Sequence, residues 1–261
     1  MSQTILTPTR SGGPAPRSAG RLIAIASGKG GVGKTWFAIT LAHALARLGR
    51  RVLLFDGDLG LANVDIQLGL APARDLAHVL AGRSTLADAV LHHADCGFDI
   101  LPGSSGSGAL AGLEPRAVAA IVALLRGAGG YGHILLDLGA GLEGGVRGLA
   151  AAADTLLVLA TDEPTSLTDA YAVLKLHAAD RPDGDARVVV NQAASAAGGA
   201  RTYATLRKAA LAFLRRDPPL AGIIRRDDHV RETIRRQTPL LTRHPTSPAA
   251  ADVTRLADRL F

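Results

Sequence analysis

Residues 28–35 read Gly28-Lys29-Gly30-Gly31-Val32-Gly33-Lys34-Thr35, which fits the pattern G-x-x-x-x-G-K-[ST]. Its glycines let the backbone curl so that several N–H groups converge on phosphate oxygens. A helix starting near Lys34 adds its positive end at the same place. Lys34 is expected to reach the β- and γ-phosphates, and the Thr35 hydroxyl to ligate Mg²⁺. Gly28, Gly30, Gly31, Val32, Gly33 and Trp36 complete the expected nucleotide-binding segment. Lys29 is a second lysine within the loop. Of the 29 basic residues four are lysine, and two of those four fall in these eight positions. A compact ammonium suits phosphate better than a planar guanidinium. Its retention in an arginine-rich chain therefore points to chemistry, with a solvent-facing loop residue as the alternative.

Carboxylates complete the set. Asp56 and Asp58 close an apolar run at the carboxyl edge, where open α/β sheets bind ligands. Alternation along an extended strand puts both on one face, about 6–7 Å apart. One is expected in the water shell of Mg²⁺ and the other to orient an attacking water. Asp137 ends the run Ile134-Leu135-Leu136 and fits an acid holding Mg²⁺ directly or through water; a helix N-cap is its alternative. Phosphoryl transfer mostly demands positioning and charge neutralisation, which such groups supply. Gly139, Gly141, Gly144 and Gly145 follow, as expected of a mobile switch that senses a γ-phosphate.

These groups need a rigid frame. Short apolar runs at 22–27, 51–56, 98–101, 133–138, 155–161, 187–190 and 220–224 read as buried strands. Phe37, Leu41, Leu45 and Leu48 recur at helical spacing before Gly49, and further helices are expected around 75–93, 114–127, 166–179 and 201–215. Alternation of this kind predicts an α/β fold, a doubly wound, mostly parallel sheet with helices on both faces. Residues 21–261 are expected to form a single domain. Residues 1–20, rich in Pro, Gly and Ser, are expected to be a flexible tail.

Composition narrows the classes. The chain has 261 residues, 48% of them hydrophobic, which excludes a wholly disordered protein. The single cysteine, Cys96, cannot close an internal disulfide, so a reducing, cytoplasmic setting is expected. No apolar run is long enough to cross a membrane, and the start has no signal-peptide core. The formal charge of +6 is regional: residues 25–200 sum to −4, residues 1–24 to +3 and residues 201–243 to +7. The last stretch could neutralise DNA phosphates, or be the solvated face of an arginine-biased protein.

The segment Lys29-Gly30-Gly31-Val32-Gly33-Lys34-Thr35 resembles the deviant Walker A motif of the MinD/ParA ATPases. The resemblance narrows at three further places. Asp56-Gly57-Asp58-Leu59-Gly60-Leu61-Ala62-Asn63-Val64-Asp65, Asp137-Leu138-Gly139-Ala140-Gly141 and Glu163-Pro164-Thr165-Ser166-Leu167-Thr168-Asp169-Ala170-Tyr171 are similar to segments of the flagellar-number regulators of the FlhG/FleN type. By position, the resemblance implies that Lys29 crosses a dimer interface to the partner's ATP and that Asp58 orients water. Asp56, Asp137 and Thr35 then lie around Mg²⁺, and Asn191 reads the adenine edge, with a loop-capping role as its alternative. An ATP-dependent homodimer is implied, acting on flagellar regulatory proteins such as a transcription activator or a polar GTPase, in the cytoplasm or peripherally at the membrane or pole.

Departures are informative. Arg225 stands where the family's G-x-I-P-x-D segment has proline, and residues 1–20 lack the family's N-terminal D-Q-A-x-x-L-R motif. The C-terminal stripe Val253, Leu256, Ala257, Leu260 and Phe261 is short and accompanied by Asp252 and Asp258, so packing against the domain is expected over strong membrane binding. The rival readings are a ParA-like partition ATPase holding DNA non-specifically and a MinD-like membrane-positioning ATPase.

Overall fold

In a computed structural model, residues 20–58, 62–103, 114–141 and 144–260 are described; the expected tail lies outside them almost entirely. The apolar run after Gly20 forms β1 (Arg21–Ser27), the centre of an eight-stranded sheet. The remaining strands are β2 (Val52–Gly57), β3 (Leu91–His93), β4 (Phe98–Leu101), β5 (His133–Ala140), β6 (Thr155–Ala160), β7 (Ala186–Ala193) and β8 (Leu220–Arg225). Their order is β3-β4-β2-β5-β1-β6-β7-β8, and every pairing is parallel except β3 with β4. The predicted doubly wound fold is therefore the observed one.

The central strands are apolar throughout because both faces of the sheet are covered. Ile23, Ile25, Leu135, Leu157 and Val189 pack under α1 (Lys34–Arg47), α2 (Val64–Leu68), α9 (Asp228–Arg235), α10 (Leu240–Arg243) and α11 (Pro248–Leu260). Their neighbours Leu22, Ala24, Ile134, Leu136, Leu156 and Val188 face the opposite layer. That layer holds α3 (Leu76–Leu80), α4 (Leu86–Ala89), α5 (Pro115–Arg126), α6 (Gly144–Ala152), α7 (Pro164–Asp180) and α8 (Ala196–Ala209).

Two sequence expectations need correction. The helix expected over 75–93 is two single turns followed by β3. Asp75 caps the first turn, Gly82 (φ 69°) leaves the helical path, and a Thr85–Asp88 capping box starts the second. The helix expected over 201–215 starts earlier, at Ala196 behind a Ser195 cap, and ends in a π turn over Ala210–Leu214. Of the C-terminal stripe, Val253, Leu256 and Ala257 pack inward as expected and Leu260 is partly buried, while Phe261 lies outside the described residues. Val253, Leu256 and Ala257 are buried against α1 and β8, about 2 kcal/mol for each of the two larger side chains.

Candidate functional site

Because β1, β2, β5 and β7 run parallel, their carboxyl ends lie at one edge of the sheet. The glycine loop leaves β1 there. Gly31 (φ 81°) and Gly33 (φ 89°) take left-handed conformations that let the loop turn into α1. Ser27 Oγ donates to Lys29 O at 2.7 Å. A Cβ at Gly28 would lie 2.6 Å from the Asp169 carbonyl oxygen, so α7 backs the loop directly. At Gly30 a Cβ would meet nothing within 4 Å.

Lys34 is nine-tenths buried; burial lowers its pKa, and the charges of Asp137 and Asp58 oppose that shift. Asp137 is fully buried on β5, with no hydrogen-bond partner at either carboxylate oxygen. Burial, then the neighbouring Asp56 charge, push its carboxyl up to about 7; the Thr35 hydroxyl is close enough to oppose the shift, as Lys34 does, but does not make a properly aligned hydrogen bond. The next helix begins at Gly144, so Asp137 is not an N-cap. A buried carboxylate without a partner requires a physical explanation. A divalent cation fits this donor set of carboxylate, hydroxyl and nearby acids, because such cations take oxygen ligands and keep waters and phosphates among them. Among the described residues no three His, Cys, Asp or Glu side chains are grouped so as to hold a metal ion by themselves.

Asp56 is paired in register with Asp137 across β2 and β5. Its carboxylate accepts backbone N–H bonds from Asn63 (2.9 Å), Val64 (2.9 Å) and Asp58 (3.2 Å). It therefore ties down the loop into α2, although burial still raises its pKa to about 6. Asp58 lies just past β2, where a Cβ at Gly139 would approach its Oδ1 to 3.3 Å. A side chain at Gly139 would therefore crowd the Asp58 carboxylate.

Lys29 does not hang free in solvent. Its Nζ donates to Glu163 Oε2 at 2.6 Å and to Thr165 Oγ1 at 3.2 Å. Both acceptors sit at the start of α7, where Pro164 occupies the first turn. Glu163 and Thr165 belong to a segment quoted above, yet no role was legible for them; the proline after an acidic residue is the local signal of a helix start.

Asn191, buried at the end of β7, donates from Nδ2 to Val32 O at 2.8 Å and so clamps the phosphate loop. Gln192 (φ 56°) donates to Gly31 O at 3.4 Å. Beside them a cavity of about 260 Å³ is lined by Gly33, Trp36, Gln192, Arg226, Asp228 and Arg231. Trp36 contributes a buried Nε1 that has no partner. Arg225, the residue in place of the family's proline, also lines this cavity, while its guanidinium donates to Asp252 at 2.8 Å and to Pro248 O. Other bases of the 201–243 stretch are likewise engaged within the chain: Arg207 with Asp217, and Arg236 and Arg243 with Glu232.

A family model described as the CobQ/CobB/MinD/ParA nucleotide binding domain matches residues 23–240. The antiactivator FleN of Pseudomonas aeruginosa is 39% identical over 241 residues, covering 92% of this chain and 86% of its own. The flagellum site-determining protein YlxH of Helicobacter pylori is 31% identical, over 73% of this chain and 64% of its own. Among solved structures, the septum site-determining protein MinD complexed with Mg-ADP from Pyrococcus horikoshii superposes with a TM-score of 0.76 at 27% identity, covering 92% and 95% of the two chains.

Proposed function

The chain belongs to the CobQ/CobB/MinD/ParA nucleotide-binding family, and from that premise we propose that it is a Mg-ATP-dependent, dimerising ATPase switch restraining flagellar number or placement. The observation that carries this reading is the double-lysine phosphate loop in a chain similar over 92% of its length to an antiactivator and over 73% to a flagellum site-determining protein. A solved MinD that holds Mg-ADP supports the nucleotide and the cation.

In this reading Lys34 and the loop amides hold the β- and γ-phosphates, and Trp36, Asn191 and the adjoining cavity hold the nucleoside end. Thr35 and Asp137 would hold the cation, with Asp56 behind them fixing the backbone around Asp58. Mg²⁺ would neutralise phosphate charge as the γ-phosphoryl group transfers. Asp58 orients the water whose oxygen bonds to the γ-phosphorus while the bond to the ADP oxygen breaks. Lys29 leaves Glu163 and reaches the nucleotide of a second copy. ATP bound between two copies stabilises the dimer, and hydrolysis releases it, through differential affinity for the two states.

Size-exclusion chromatography of Asp58→Ala with Mg-ATP tests the switch. A stable dimer is expected, and a variant that stays monomeric at saturating ATP overturns the sandwich. In the native cell, removal of the chain should change the number or position of flagella; unchanged flagellation overturns the cellular role.

A further inference from the structure

At the amino end of the sheet a cavity of about 220 Å³ lies between the last turns of α7, the π turn that ends α8 and the loops entering β7 and β8. Leu174, Ala210, Leu214 and Pro218 give it an apolar wall. Drug-sized ligands usually occupy roughly 300–1,000 Å³, so only a compact occupant fits here.

His177 completes that wall from α7. It is 6% exposed, and neither ring nitrogen has a hydrogen-bond partner. Burial, then the Arg181 charge, holds its pKa below the ordinary 6.5, so the ring is neutral and carries one donor and one acceptor. A Cβ at Gly184 would lie 2.5 Å from its Nε2, so this nitrogen stands against the turn that borders the cavity. A buried imidazole with both nitrogens unpaired requires a physical explanation, and the ring lies too far along α7 to serve the phosphate loop.

The charged groups of the lining decide what an occupant must carry. Asp185 is committed to Arg187 at 2.8 Å and to Thr155 at 2.9 Å, and Asp217 to Arg207 at 2.6 Å. Arg181 spends one nitrogen on Ala151 O. Arg216 is exposed and makes no side-chain hydrogen bond or ion pair among the described residues. Both acids are therefore answered within the chain while guanidinium donors remain, so the unmet demand is for acceptors.

We propose that this cavity is a second ligand site, separate from the nucleotide, for a small organic carboxylate with an apolar body. The carboxylate pairs with Arg216 and the remaining donors of Arg181, the body rests on Leu174, Leu214 and Pro218, and His177 supplies the polar contact of the inner wall. A bare inorganic anion would leave the apolar wall uncovered, and a cation would meet two guanidinium groups. β7 and β8 begin at this cavity and end beside the phosphate loop, so the two ligands bind at opposite edges of the sheet and need not compete.

Titration of the ¹⁵N-labelled full chain with benzoate, with and without Mg-ADP, tests this by NMR. The amides of Ala178, Gly184 and Arg216 should shift and saturate at about millimolar benzoate in both conditions, and those of Gly30 and Gly33 should not move. Benzamide, the neutral isostere, and sulfate should bind about tenfold more weakly or worse. Arg216→Gln should weaken benzoate about tenfold without changing the melting temperature, since the residue is exposed. His177→Leu should weaken it several-fold while the melting temperature holds or rises, which separates lost binding from lost folding. No saturable shift at these amides, benzamide binding as tightly as benzoate, or equal affinity in wild type and Arg216→Gln overturns the proposal. Displacement of benzoate by Mg-ADP also overturns it and places the probe in the nucleotide site.

Discussion

Lys29 Nζ donates a 2.6 Å hydrogen bond to Glu163 Oε2 of its own chain, 134 residues away. The contact joins the phosphate loop to the first turn of α7, and the bond holds the Glu163 carboxyl below the usual carboxylate range. Both side chains are solvent-exposed, so the pair is screened and exchanges readily. A lysine that must serve a second copy therefore starts from a weak contact at home, and dimerisation has to displace it.

Glu163→Gln should consequently favour the nucleotide-bound dimer. Sedimentation velocity in Mg-ATP is expected to show dimer at a few-fold lower protein concentration than the wild type. A requirement for more protein would mean that Glu163 assists association instead of competing with it.

Asp137→Asn should abolish Mg-dependent hydrolysis yet stabilise the ligand-free chain. The buried carboxylate has no hydrogen-bond partner, so its charge is a standing cost. Because its folded pKa is raised from the ordinary 3.8 to about 7, its contribution favours folding at low pH and is lost as pH rises through 7. At pH 8 without nucleotide the variant should be more stable by about 2 kcal/mol, or several degrees in melting temperature. A lower melting temperature would show that the carboxylate is satisfied.

His43 gives the opposite pH dependence. Burial in α1, then the charges of Arg47 and His93, lower its pKa from 6.5 to about 4. The folded state prefers the neutral ring, so this contribution is full above pH 6.5 and is lost as pH falls towards 4. At pH 5 it amounts to about 2 kcal/mol of lost stability. Urea denaturation of wild type and His43→Leu at pH 7 and pH 5 measures it; an equal acid-induced loss in both would place the sensitivity elsewhere.

Gly28→Ala and Gly30→Ala should behave differently although they are two residues apart. A methyl at 28 collides with the backbone of Asp169, and overpacking of this kind costs about 1–3 kcal/mol. Thermal melts should fall for Gly28→Ala and stay near wild type for Gly30→Ala, where the space is open. If Gly30→Ala melts as low as Gly28→Ala, loop strain and not the α7 contact governs the site.

The sequence made the interior strands legible because burial on both faces leaves an uninterrupted apolar run, as in β1, β2 and β6. β3 was missed for the converse reason: it has three residues, pairs antiparallel at an edge and is only partly buried. The glycine- and alanine-rich α6 and the short α9, whose one apolar side rests on Val230 and Ile234, offer too few large apolar positions to stand out. The phosphate loop is local in sequence and could be read directly. The partners of Lys29, the clamp of Asn191 on Val32 and the loop-anchoring bonds of Asp56 are products of tertiary folding, so no spacing rule announces them.

Both rims of the sheet are poor templates for further strands. β3 presents three residues, and β8 six, which are bounded by Pro218 and Pro219, with no N–H to offer, and by Arg225, whose N–H donates to Asp252 Oδ2. A second copy arriving edge to edge would find few backbone groups to bond. Continuation of the sheet into a filament is thereby discouraged, and assembly is directed to surfaces that a nucleotide can govern.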